Sequence, residues 1–222
     1  MAKIQAVVFD FDGLIVDTEV QWYNAVREIY AEYGADFTLE IFGSIVGTHS
    51  GPDFIERKLE ELIGRPVDRP AVKAAYQARQ RELSKGQQPR PGVEDYIRAA
   101  KDLGLKIGLA SSSHRDWIDR HLEELGLRHH FVHIRTADDV EKVKPDPALY
   151  LRVLEDLGVE PQHAIAFEDS PNGALAAHRA GMNVVIVPNL VTSPLPFGEH
   201  HLRLTSMAEM ELEKVIEQIE GL

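Results

Sequence analysis

The 222-residue chain carries 36 acidic side chains against 24 lysines and arginines, a formal charge of -12. Such a chain repels nucleic acid and anionic membrane surfaces at long range, so neither is an expected partner, and a phosphorylated ligand would need local positive charge to bind. The absence of cysteine excludes disulfide and thiolate chemistry, and a 44% hydrophobic content without low-complexity tracts or repeats is that of a chain that folds throughout.

Residues 4–9, IQAVVF, form an apolar run that predicts a buried strand stopping at Asp10. No basic leader or cleavage site precedes it and no apolar run reaches membrane-spanning length, so a cytoplasmic location is expected. Residues 20–34, 54–64 and 71–83 then read as consecutive amphipathic helices with no strand between them. With Gly86–Gly92 as a Pro/Gly-rich return linker, they predict a helical domain at 17–87 inserted into a core formed by 1–16 and 88–222.

Beyond the linker, helical patterns at 93–103, 115–125, 147–157 and 171–180 alternate with apolar runs at 105–110, 131–134, 164–167 and 183–187. That alternation predicts an α/β fold: a parallel sheet with helices on both faces and ligands beyond the carboxyl ends of its strands. Residues 189–205 read as a surface loop without assigned function, followed by a final helix at 207–220.

Four polar constellations fall at those strand ends. Asp10 and Asp12 flank Phe11, and their like charges need a cation or a proton nearby. Taken alone, an Asp-Gly turn explains the pair equally well. Ser111, Ser112 and Ser113 precede a helix, where a serine serves either as N-cap or as a phosphate donor. Lys144 stands just ahead of two prolines in VKPDP and offers local positive charge. Glu168 and Asp169 open a helix that Ser170 would cap and Pro171 would begin. His129, His130 and His133 have metal-like spacing, yet adjacent imidazoles near a strand start are expected to be solvated.

DFDGL at 10–14, LASSS at 109–113, VKPDP at 143–147 and FEDSPNG at 167–173 together resemble the four motifs of the haloacid dehalogenase-like hydrolases. Their order, their spacing and the helical insert resemble the beta-phosphoglucomutase-like subgroup, which has a Rossmann-like core and a helical cap. The resemblance implies a magnesium-dependent phosphatase acting on a small phosphorylated metabolite such as a sugar phosphate. Asp10 would be the nucleophile forming an aspartyl-phosphate, and Asp12 the acid and base. Ser111 and Lys144 would hold phosphoryl oxygens, with Ser112 and Asn172 in support. Mg2+ would be held by Asp10, the Asp12 main-chain carbonyl and Asp169, with Glu168 in or near the outer shell.

Asp12 argues against dehalogenation, whose enzymes in this family lack that residue. Lys58, Lys73 and Lys85 carry no signature of a phosphonate-cleaving Schiff-base lysine. A phosphosugar mutase is the alternative. Trp22 and Ser50 stand where mutases carry a proton-transferring His and a phosphate-binding Arg, with His49 or Arg57 as substitutes. A catalytically silent module on the same fold is a further alternative. Oligomeric state is not read from these patterns, although a monomer would suffice.

Overall fold

The computed structural model describes residues 4–43 and 53–221. Six strands form one parallel sheet: β1 (Ala6–Phe9), β2 (Lys106–Ala110), β3 (His133–Arg135), β4 (Ala164–Glu168), β5 (Asn183–Ile186) and β6 (Leu202–Arg203). Their spatial order is β3-β2-β1-β4-β5-β6. Between β1 and β2 lie α1 (Thr18–Glu32), α2 (Leu39–Gly43), α3 (Phe54–Ile63), α4 (Arg69–Leu83) and α5 (Val93–Asp102). The remaining helices are α6 (Arg115–Glu124), α7 (Ala148–Leu157), α8 (Pro171–Arg179) and α9 (Leu212–Glu220). No described helix is long and apolar enough to cross a membrane.

The central strand shows why the sheet needs two helical layers. Successive side chains of a strand point to opposite faces. Val7 and Phe9 therefore pack with α5, α6 and α9, whereas Ala6 and Val8 pack with α7 and α8. All four are fully buried, which explains the unbroken apolar run of a parallel strand. The Phe9 ring stacks on Phe167 of β4 at 5.3 Å. Truncating either ring to alanine would cost about 3–5 kcal/mol.

Register fixes what lies beyond the sheet. Phe9 pairs with Leu109 on one side and Phe167 on the other. Asp10, Ser111 and Glu168 therefore emerge together at one edge, where a Rossmann-like sheet places its ligands.

Helices α1, α3 and α4 bury a cluster of their own, including Tyr23, Tyr30, Phe37, Leu59 and Tyr76. Arg90 N donates to Ile15 O at 2.8 Å, joining the segment that leaves the sheet to the one that returns.

One expectation is corrected. Within 189–205, Asn189, Val191 and Thr192 are buried and β6 pairs with β5, so the segment is not simply a surface loop. Its polar residues satisfy their own backbone: Asn189 Oδ1 accepts from Val191 N and Thr192 N, and Thr192 Oγ1 accepts from Asn189 N. The structure also removes one of the two readings of the serines, that of a helix cap. Helix α6 starts after His114, and its first amide, Arg115 N, donates to Asp138 Oδ2 at 2.7 Å. Asp138 thus does the capping and Ser111–Ser113 stay in the loop, whereas Ser170 caps α8 as expected, accepting from Gly173 N at 3.1 Å.

Candidate active site

The end of β1 delivers Asp10, 7% exposed, against a buried cation. Lys144 Nζ donates to Asp10 Oδ1 at 2.5 Å, to Glu168 Oε1 at 2.6 Å and to Ala110 O at 2.8 Å. All three ammonium protons are used. Burial by itself would lower the Lys144 pKa, but Asp10 and Glu168 more than offset it, so the group is raised and stays cationic. The Tyr150 hydroxyl also donates to Glu168 Oε1, and the Lys144 ammonium lies 5.0 Å from the Tyr150 ring centroid. Gly173 makes room for Glu168, because a Cβ there would lie 2.0 Å from the carboxyl carbon.

Asp10, Glu168 and Asp169 each offer a carboxylate oxygen, all within 4.8 Å of one another. Burial pushes Asp10 well above the usual carboxylate range against the pull of Lys144, with Glu168 and Asp12 adding to the rise. Asp169 is also raised, first by burial and then by Glu19, Asp10 and Glu168, while Arg90 opposes the shift. Asn189 Nδ2 donates to Asp169 Oδ2 at 2.8 Å. Gly13, at φ +83°, lets the chain pass this pair, since a Cβ would stand 2.2 Å from Asp169 Oδ2. Hard oxygen donors this close, whose ionised forms are disfavoured by burial, fit a divalent cation of the magnesium type.

Asp12 does not join that group. Its Oδ1 accepts from Thr18 Oγ1 at 2.9 Å and Trp117 Nε1 at 3.0 Å, and its Oδ2 accepts from Ser113 Oγ at 2.6 Å. The two aspartates therefore have separate partners: a lysine and two acids around one, neutral donors around the other. Asp12 opens into a cavity of about 340 Å³ also lined by Glu19, Trp22, Phe42, Gln80 and Trp117. Burial pushes Glu19 up to about 7, with Asp12, Asp17 and Glu168 adding to the rise and the Asn189 amide opposing it.

Of the other expected residues, Ser111 is buried and its Oγ accepts from Ser113 N at 3.0 Å. Ser112 is exposed, and Asn172 is half-buried with no hydrogen bond to the acids among the described residues. Trp22 lines the cavity and packs on Phe42 at 5.4 Å. His49 and Ser50 lie outside the described residues. The His129 and His130 rings lie 3.8 Å apart, and His133 joins them in no metal-ligating group among the described residues.

Sequence reasoning missed Thr18, Glu19, Trp117, Asn189 and Arg90, and it missed the bond from Ser113 to Asp12. Ser113 was visible as the last of the serine run, and Thr18-Glu19 as polar residues opening the first helix after Asp12. The Arg90 guanidinium donates to the carbonyls of Gly13, Val187 and Pro188, pinning both crossing segments beside Asp169.

Residues 7–187 match the family described as haloacid dehalogenase-like hydrolase. The chain is 49% identical over 97% of its length to "Putative phosphatase YhcW" of Bacillus subtilis (strain 168), covering 98% of that protein. It is 32% identical to the "Phosphorylated carbohydrates phosphatase" of Thermotoga maritima, over 81% of this chain and 82% of the relative. Among solved structures it is similar to beta-phosphoglucomutase from Clostridium difficile, with a TM-score of 0.73, 25% identity and 98% of each chain covered. The chain belongs to the haloacid dehalogenase-like hydrolase family, and its near-full-length relatives place it among the phosphoric monoester hydrolases of that family.

Proposed function

We propose that the protein hydrolyses a small phosphomonoester of the sugar-phosphate class, with Asp10 as nucleophile and Asp12 as acid and base. The observation that carries this reading is the separation of the two aspartates, one buried against Lys144, Glu168 and Asp169 and the other held by Thr18, Ser113 and Trp117 at a cavity. Roles that need different protonation states need different surroundings.

Asp10 attacks phosphorus with the oxygen that Lys144 does not hold, and the bond from phosphorus to the departing sugar oxygen breaks. Asp12 gives its proton to that oxygen. A water then attacks the aspartyl-phosphate, Asp12 takes the water proton, and Asp10 is regenerated as phosphate leaves. Three donors around the Asp12 carboxylate hold it in place through both transfers. Mg2+ would be held by the carboxylates of Asp10 and Asp169 and the Asp12 main-chain carbonyl, with Glu168 in or near the outer shell, and would supply charge neutralisation for the phosphoryl oxygens. Lys144 neutralises charge on Asp10 and Glu168. Ser111 would hold a phosphoryl oxygen.

Residues 17–87 act as a cap that excludes water from the cavity. Glu19 and Gln80 suit the hydroxyls of a sugar, and Trp22, Phe42 and Trp117 suit its apolar faces. The name of the Thermotoga maritima relative supports the same substrate class.

The test is phosphate release from hexose, pentose and glycolate phosphates with Mg2+ or excess chelator, comparing wild type with Asp10→Asn. Metal-dependent release that the substitution abolishes is expected. Release by folded Asp10→Asn at the wild-type rate would refute the nucleophile.

A further inference from the structure

A second cavity, of about 630 Å³, separates α4 from α6. One wall carries Arg81 at the end of α4 with Ser84 and Lys85 just beyond it, and the other carries Arg120 on α6. Glu124 is the single acid in the lining, which makes this cleft locally positive in a chain of charge -12.

The cations are largely uncommitted. Among the described residues neither Arg81 nor Arg120 has a carboxylate partner, and Lys85 reaches only the exposed Glu82, at 3.3 Å. The Arg120 guanidinium lies 5.4 Å from the Trp117 ring centroid. Beside them, the Ser84 hydroxyl oxygen is buried without a hydrogen-bond partner. A buried hydroxyl without a partner costs free energy, which it recovers if closure of the walls brings a ligand oxygen into its reach. Like charges on facing walls repel, so an anion between them removes that repulsion and draws the walls together. Gln80 and Trp117 line both this cleft and the Asp12 cavity, so the two spaces adjoin.

We propose that the cleft between α4 and α6 binds a small polyanion through a phosphate-like group held by Arg81, Arg120, Lys85 and Ser84. Such a group arrives either on the non-reacting end of the substrate or on a separate metabolite. The first source rests on the hydrolase reading above. The second does not. In both, the anion bridges an inserted helix to a core helix beside the side chain that bonds Asp12.

The experiment compares wild type with Arg81→Ala/Arg120→Ala, neither residue touching the reacting groups. Calorimetry in chelator measures binding of fructose 1,6-bisphosphate, fructose 6-phosphate and inorganic pyrophosphate. Kinetics with Mg2+ follow fructose 6-phosphate turnover with and without pyrophosphate. Losing two charge-assisted contacts should weaken the polyanions about tenfold or more while fructose 6-phosphate turnover stays unchanged. Bisphosphate favoured over monophosphate in wild type alone identifies the substrate end. Pyrophosphate binding that alters turnover without competing with substrate, and disappears in the variant, identifies a separate metabolite. Equal binding by the two proteins, or purely competitive pyrophosphate inhibition untouched by the variant, overturns the site. The calorimetric comparison needs no turnover, so a protein that hydrolyses none of these compounds yet loses polyanion binding in the variant keeps the site and refutes only the hydrolase reading.

Discussion

Trp117 and Asp12, 105 residues apart in the chain, are joined by a 3.0 Å hydrogen bond from the indole N–H to the carboxylate Oδ1. The carboxylate to which the proposed reaction assigns both proton transfers is thereby aimed by a ring that also walls the cavity. Trp117→Phe keeps most of the wall and removes the donor. Steady-state kinetics should show kcat about tenfold lower with KM little changed, the loss of one hydrogen bond to a charged group. An unchanged kcat would mean that Thr18 and Ser113 suffice to hold Asp12.

Gly173→Ala tests how tightly Glu168 is seated. The added Cβ would stand 2.0 Å from the carboxyl carbon, so either the carboxylate or α8 must move. Urea denaturation should show a loss of about 1–3 kcal/mol, with weakened Lys144 anchoring and reduced turnover. Wild-type stability and rate together would show that the helix yields freely.

Glu19 makes apo stability depend on pH. Its pKa rises from an ordinary 4.5 to about 7 in the folded protein, so between those values the folded state holds a proton that the unfolded chain has released. Stability contributed by this group is therefore present below about pH 4.5 and lost as pH rises through about 7. In chelator, the melting temperature of Glu19→Gln should gain on that of wild type as pH rises across this window. A constant difference would contradict the shift.

Metal and charge removal should act with opposite signs on Asp169. Without metal, Asp169→Asn removes one of several buried like charges, and its melting temperature should exceed that of wild type. Millimolar Mg2+ should then raise the wild-type melting temperature by linkage and leave the variant nearly unmoved. Equal responses of the two proteins to Mg2+ would place the cation elsewhere.

Much of the fold was legible because burial writes itself into local pattern. The runs at 4–9, 105–110, 164–167 and 183–187 could be read as strands since both faces of a parallel sheet are covered. Strand β6 could not, because two residues carry no periodicity and pair only once β5 is in place. Asn189 was hidden for a related reason: a polar loop reads as solvated until the chain buries it against Asp169.

The sequence by itself pointed to Asp10, the serine run, Lys144 and Glu168-Asp169 meeting at one sheet edge, because parallel strand direction follows from alternating strand and helix patterns. Only the tertiary structure decided what each of those groups is. Asp12 takes its partners from residues 18, 113 and 117, Lys144 reaches acids at the ends of two strands, and Glu19 is pushed up to about 7 first by burial and then by acids at 12, 17 and 168. The charge state and aim of a carboxylate depend on burial and on neighbours within a few ångströms, and those neighbours are brought from distant parts of the chain by packing.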